Sequence, residues 1–393
     1  MDRRQLLVGM TALGLARNLS LPDLLTAQSI ETGDSLLPTS ATTSDRERDG
    51  LRGPVRMSVA ESETRFGKTG ATQEYDLDGR LLASRSTYPG SEWENTRTYD
   101  ADGRVLRTTK KSGGSSNLQT YAYDERGRLL SITDSDGPRT DFHYDSEGRK
   151  TQTQAIPVRP GDLHKAVGIG VMFGSIEAGY GLIDGGTVTR RYDDHDLPVE
   201  SQILDSEGNL VTRIIRSYDS KGRLTAERMI PENWDIGFAK RMLANAPEEY
   251  RTEEVLKQVR EQLRATMKGF GRDTEKSYAY DAQNRVTETH IRSSLLSQDT
   301  TMTYNDQGDI VEQRESSTQP SPPDVRVVLH QDEAENLVSD RPQSEWPPQP
   351  DLLHRSTLTR YKYEYDPQGN WTEQTMILQD GPGSTIRRKL TYY

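Results

Sequence analysis

Tyr99-Asp100-Ala101-Asp102-Gly103-Arg104 is the stretch that decides the fold. The same pattern stands at Tyr75-Asp76-Leu77-Asp78-Gly79-Arg80, Tyr123-Asp124-Glu125-Arg126-Gly127-Arg128, Tyr144-Asp145-Ser146-Glu147-Gly148-Arg149 and Tyr218-Asp219-Ser220-Lys221-Gly222-Arg223. Weaker copies begin at Tyr192, Tyr280, Tyr304 and Tyr365, with a tyrosine-less one at Leu204-Asp205. The first spacings are 24, 24 and 21 residues, and Tyr280 to Tyr304 is again 24. Self-similarity at such a period marks a repeat architecture.

Each motif reads as the turn of a β-hairpin. The tyrosine ends a strand written in Thr, Arg, Tyr and Val. Asp accepts hydrogen bonds from backbone N–H groups ahead of it and so opens a turn. Gly four residues after Tyr supplies the positive φ that a type I turn with a G1 bulge requires. Arg begins the returning strand, as in Arg104-Val105-Leu106-Arg107-Thr108. Where Gly is lost, Asn284 or Asp196 replaces it, and these tolerate the left-handed region best among other residues. Twenty-four residues hold two strands and two connections, so one repeat is one hairpin, and hairpins must pair with neighbours to cover their edges. The expected fold is mainly β, with repeated antiparallel hairpins forming an extended, curved or partly wrapped sheet over residues 49–393.

Composition agrees. The 393 residues carry 50 basic and 61 acidic side chains, a net charge of −11, so a global basic footprint for nucleic acid is absent. Leu, Ile, Val and Phe make up only about a fifth of the chain, a level at which disorder becomes an option. Eighteen Tyr and 32 Gly suit exposed strands and turns better. With no cysteine, disulfides, zinc–thiolate sites, iron–sulfur clusters and thiol catalysis are excluded.

Residues 1–27 read as an export signal. Arg3-Arg4 precedes an apolar run to Ala16 that is too short to span a bilayer. Small residues follow, with a cleavage position after Leu25-Thr26-Ala27. The paired arginines resemble a twin-arginine signal, which implies export in the folded state, although Asp2 stands where Ser or Thr is usual. Residues 28–48 read as a flexible linker. No later segment is apolar enough for a membrane helix, so the mature chain is expected to lack a span and to work in the periplasm or outside the cell.

The recurrent Tyr-Asp-x-x-Gly-Arg resembles the YD repeat of the RHS/YD-repeat family, in pieces over residues 50 to 393. Gly50-Leu51-Arg52-Gly53-Pro54-Val55-Arg56 looks like the lead-in of small secreted members, and Tyr363-Glu364-Tyr365-Asp366-Pro367-Gln368-Gly369-Asn370-Trp371 like one of their late repeats. In large members the family's strands spiral into a hollow shell around a C-terminal toxin. Here 26 residues follow Pro367, so the expectation is a small secreted member without a toxin domain. The expected sheet is open or partly curled, about ten hairpins and not a closed container.

Three insertions interrupt the pattern. Residues 155–186 include Gly168-Ile169-Gly170-Val171-Met172-Phe173-Gly174, which lacks the glycine placement and βαβ context of a dinucleotide loop and reads as a cap on the concave face. Within 232–270, Val255, Val259 and Leu263 repeat every four residues, a helix expected to pack on the sheet. Residues 316–356 are proline-rich and irregular.

Little points to catalysis. None of His143, His164, His195, His290, His330 and His354 stands at metal-ligand spacing with another. Asp76/Asp78, Asp100/Asp102 and Asp134/Asp136 resemble calcium loops, but Thr87 stands where the bidentate Glu belongs. No catalytic, metal or cofactor residue is assigned, and the expected cofactor set is empty. The stronger signal is a surface of aromatic and hydrogen-bonding side chains, which suits sugars: C–H faces stack on rings and hydroxyls need polar partners. Trp93, Trp234, Trp346 and Trp371 are the candidate anchors. The expected function is non-enzymatic binding or scaffolding at the envelope or exterior, with polysaccharide or envelope proteins as partners. An accessory of an RHS-type toxin delivery system is the second reading and a glycan-processing enzyme the third.

Overall fold

The computed structural model describes residues 44–393 apart from 65–66, 136–138, 157–185, 206, 234, 237–238, 240–242, 244–247, 249–250, 267–272, 294–295, 321–328, 332–336, 340–351 and 380. The residues read as a signal peptide, most of those read as a linker and the glycine-rich stretch read as a cap lie outside the described residues. The strands are β1 (Val55–Thr64), β2 (Gly67–Tyr75), β3 (Leu81–Tyr88), β4 (Ser91–Tyr99), β5 (Val105–Ser112), β6 (Ser115–Tyr123), β7 (Leu129–Asp134), β8 (Arg139–Tyr144), β9 (Lys150–Ile156), β10 (Thr187–Tyr192) and β11 (Pro198–Leu204). They continue as β12 (Leu210–Tyr218), β13 (Leu224–Pro231), β14 (Thr274–Tyr280), β15 (Val286–Arg292), β16 (Ser297–Tyr304), β17 (Ile310–Pro320), β18 (Leu329–Gln331), β19 (Leu337–Ser339), β20 (Leu352–Tyr365), β21 (Trp371–Leu378) and β22 (Gly381–Tyr392). Helices α1 (Asp45–Arg48) and α2 (Glu253–Thr266) complete the described elements.

Each strand pairs antiparallel with the next, β17 pairs with β20, and β22 returns to β1, with Val55 opposite Tyr392 and Ser62 opposite Ile386. The result is a closed barrel of 20 strands, while β18 and β19 pair only with each other. This corrects the expectation of an open or partly wrapped sheet. Closure follows from strand count and from edges. An all-antiparallel ring needs an even number of strands, and closing it removes both exposed edges. The strand that makes the number even is β1, which carries no Tyr-Asp motif and reads in the sequence only as a lead-in.

Alternation sends every motif tyrosine to the same rim of the barrel, here called the turn rim. The tyrosine-less Asp205 turn joins β11 to β12 and so lies on the far rim. There too lie the connections that carry all three insertions. Among the described residues, helix α2 turns its apolar stripe to other helical residues and not to the sheet that was expected to receive it. Its stripe, Val255, Leu256, Val259 and Leu263, packs against the helical residues Ala239 and Leu243. Asp235, fully buried, accepts from Arg260 at 2.8 Å and ties this unit together.

Register around the ring places Ser58, Thr108, Gln119, Thr140, Thr153, Val188, Ser201, Ile214 and Thr300 on one face, and all are buried. Curvature crowds side chains on the concave side, so this face is the interior. The opposite face carries cross-strand ion pairs, Arg85 and Lys111 with Glu94, Arg191 with Glu200, Arg360 with Glu312 and Arg387 with Glu373, and Arg314 joins Glu312 along β17. These pairs put charged side chains on the outer wall, where a barrel in lipid carries an apolar belt. Among the described residues no helix is long and apolar enough to cross a membrane.

Candidate functional site: the turn rim and the interior face

The turn chemistry is as the sequence predicts, with one addition. In the turn after Tyr99, Gly103 N–H donates to Asp100 O at 3.1 Å and Asp100 N–H to Arg104 O at 2.9 Å, with Gly103 at φ +81°. Asp100 Oδ1 accepts from the N–H groups of Asp102 and Arg104 at 3.0 and 2.8 Å. Asp196 and Asn284 take the glycine's place at φ 61° and 65°. The addition is the arginine side chain. Arg104 Nε donates to Asp100 at 2.6 Å and its Nη2 to Asp102 at 2.7 Å. Asp76 and Asp78 hold Arg80 in the same way, both at 2.6 Å. Two of the carboxylate pairs that resemble calcium loops, Asp76/Asp78 and Asp100/Asp102, are thus occupied by a guanidinium, while Asp136 of the third lies outside the described residues. Among the described residues no group of three ligating side chains could hold a metal.

The arginine also locks each repeat to the next. Arg80, Arg104 and Arg128 lie over the rings of Tyr99, Tyr123 and Tyr144 at 5.5, 5.3 and 4.9 Å, and Arg223 and Arg285 over Tyr280 and Tyr304 at 4.6 Å. Such cation–π contacts contribute roughly 0.5–1 kcal/mol each at partly exposed sites. Between Tyr99 and Tyr304 each motif tyrosine hydroxyl donates to a carbonyl of the previous hairpin, as Tyr99 to Leu81 at 2.6 Å and Tyr123 to Val105 at 2.9 Å, whereas Tyr75 and Tyr365 donate to Asp49 and Asp309. A Cβ added at Gly103 would meet Arg80 Nη1 at 2.6 Å. Glycine is needed there for two reasons, its φ and the neighbouring guanidinium. The backbone N–H of Arg104, opposed by desolvation and helped by its guanidinium, holds the Asp100 carboxyl below the usual range. Burial pushes the Tyr123 phenol up.

The interior face holds the candidate binding residues. Trp93 lies on it near the far rim, 57% exposed, with Ser86 and Ser112 as cross-strand partners. Asn95 is the next interior residue on β4, and Lys110 and Asn117 continue its row. Trp371 is different. The Arg388 guanidinium covers its ring at 3.6 Å, and Arg388 Nε donates to its carbonyl at 2.9 Å. Burial lowers the Arg388 pKa to about 10, so it stays a cation at neutral pH. Trp234 and Trp346 lie outside the described residues. Of the two described tryptophans, the structure leaves Trp93 open and packs Trp371 under Arg388.

A set not singled out in the sequence is the ladder Tyr361, Tyr363 and Tyr365 on the interior face of β20, with centroids 6.5 and 5.9 Å apart. Burial pushes Tyr363 and Tyr365 up to about 12. Tyrosine at alternate positions was the available signal, masked because only Tyr365 opens a motif. On the outer wall, His290 lies between Asp299 at 2.6 Å and Glu288 at 3.3 Å, with no nucleophile bonded to it.

Among known proteins, residues 118–155 match the family model described as RHS Repeat. No curated protein matches the chain in sequence. Among solved structures, a porin-like protein from Bacteroides uniformis is 10% identical, with 86% of this chain and 98% of that one covered and a TM-score of 0.32. A porin-like protein from Bacteroides vulgatus is 8% identical over the same shares, with a TM-score of 0.26. A chain of the TcdB2-TccC3 structure is 12% identical over 84% of this chain and 20% of its own, with a TM-score of 0.25. At these TM-scores the likenesses carry no argument. The family match does, because it falls on β6 to β9, where two of the motif turns stand in full. With the same turn repeated around one rim of the barrel, this match supports an RHS/YD-repeat assignment for the chain.

Proposed function

We propose that this barrel is a non-enzymatic binding protein of the cell envelope or exterior and that its interior face recognises polysaccharide. The observation that carries the reading is Trp93: a large ring, more exposed than buried, set among the half-buried Ser86, Ser112 and Asn95 on the interior face. A sugar stacks its C–H face on such a ring and spends its hydroxyls on the side chains beside it. The Arg3-Arg4 leader supports the location. A catalytic pair of carboxylates has less support. Among the described residues, the carboxyls held high by burial are Asp49, bonded by the Tyr75 hydroxyl, and Glu315, on β17.

The test is a binding screen of the exported chain against envelope and extracellular glycans. Trp93→Ala is expected to weaken binding about tenfold or more, equivalent to roughly 1.4 kcal/mol, while Trp371→Ala lowers stability first. Glycan binding that is indifferent to Trp93→Ala, or absent altogether, removes the reading. Closure of the barrel favours the second reading, a container accessory to RHS-type toxin delivery. A polypeptide retained in the interior of the exported chain and released on unfolding would support that alternative.

A further inference from the structure

Every pair of neighbours in the barrel is joined by a turn or an excursion except β1 and β22. Their pairing closes a loop of the whole domain, so it lacks the help a hairpin connection gives. On the turn rim beside this seam the repeat loses its arginine. Asp309 occupies the arginine position of the Tyr304 motif, and Asn370 that of the Tyr365 motif.

The segment Ser44–Arg52 fills the gap. Arg52 Nη1 donates to Gly369 O at 2.7 Å, and its Nη2 to Gln307 O. A Cβ at Gly369 would lie 2.8 Å from Arg52 Nη1, the relation that Arg80 has to Gly103. Asn370, 1% exposed, accepts from Arg52 N–H at 2.7 Å and donates back to Arg52 O at 2.9 Å. On the other side of the seam, Arg46 N–H donates to Gly79 O at 2.9 Å and Asp45 accepts from Leu81 N–H at 2.8 Å. Asp49 takes the Tyr75 hydroxyl. A capping box with Ser44 and Glu47 fixes the short helix between these contacts. One segment thus grips the turns on both sides of the joint with contacts copied from the repeat.

We propose that Ser44–Arg52 is a latch whose release opens the barrel along β1–β22, leaving the hairpin repeats paired and the interior reachable from the side. The proposal does not depend on what the interior binds. The test is hydrogen exchange of the full chain, comparing wild type with Arg52→Ala and Asn370→Ala. Amides of residues 55–64 and 381–392 are expected to exchange at least tenfold faster, with residues 105–134 unchanged. The chain has no cysteine, so Val59→Cys with Lys389→Cys, register partners across the seam, can staple it. In the Arg52→Ala background the staple is expected to restore slow exchange. Unchanged exchange at the seam, or acceleration of all strands together that the staple fails to reverse, would overturn the proposal.

Discussion

The two rims of this barrel connect the same strands by different means. On the turn rim each connection is one motif, and arginine, tyrosine and glycine of adjacent motifs interlock. On the far rim the connections range from Gly113-Gly114 to excursions of more than thirty residues. Interlocking makes the turn rim intolerant, because each turn is also its neighbour's packing surface. A far-rim turn answers only to its own hairpin, so length and composition drift there, as loop-closure entropy allows. The insertions follow this difference.

The sharpest way to break the comparison is a glycine on each rim. Gly103 (φ +81°) and Gly114 (φ +85°) ask the same of the backbone. At Gly114 an added Cβ meets nothing within 4 Å, whereas at Gly103 it meets Arg80. A β-branched residue at positive φ costs roughly 1–2 kcal/mol at either site. Displacing the packed guanidinium adds about 1–3 kcal/mol at Gly103 only. Urea midpoints should fall further for Gly103→Val than for Gly114→Val. Equal midpoints would mean that the rim is a row of independent turns.

A tyrosine on each rim gives a smaller effect of the same kind. Tyr123→Phe removes a 2.9 Å bond to Val105 O and leaves that carbonyl short of a partner, at a cost of about 1 kcal/mol. Tyr88, 36% exposed on the far rim, should tolerate Phe within about 0.5 kcal/mol. Thermal melts of the two variants would show it, and a Tyr88→Phe loss matching that of Tyr123→Phe would remove the distinction.

These contrasts bear on what the sequence makes legible. Hairpins, turns and substitutes such as Asn284 follow from residue types alone, because glycine's φ and aspartate's bonding are local properties. Closure is not local. It depends on β1, which has no motif, and on Arg52 standing in for an arginine some three hundred residues away. The arginine's second role was hidden for a similar reason: Arg104 touches Tyr123 only because the sheet brings consecutive turns side by side. The partner of α2 was missed because its stripe fits any apolar surface, and Ala239 and Leu243 were nearer than the sheet. Among the tryptophans, residue type could not separate open Trp93 from Trp371, whose cover Arg388 comes from the next strand.

The smallest expected effect comes from acid, and it also separates the rims. Asp100 and Asp124 are held below the usual range by the N–H groups of Arg104 and Arg128, against desolvation and aided by the guanidinium groups. Asp219 is held low by the Arg223 side chain and then its N–H. A carboxyl whose folded pKa is depressed adds stability that is complete above its unfolded value, about 3.9 for aspartate, and is lost as pH falls through the folded value. The melting temperature should be level at neutral pH and decline below about pH 4. Asp124→Asn keeps an acceptor for the backbone but cannot titrate. It should melt slightly lower at pH 7 and decline less steeply in acid than wild type. Exchange measured below pH 4 should then rise first at the turn-rim ends of β4 to β7, ahead of the Gly113-Gly114 end. Acid loosening that begins at the far-rim ends would show that the aspartates serve their own turns without holding the rim.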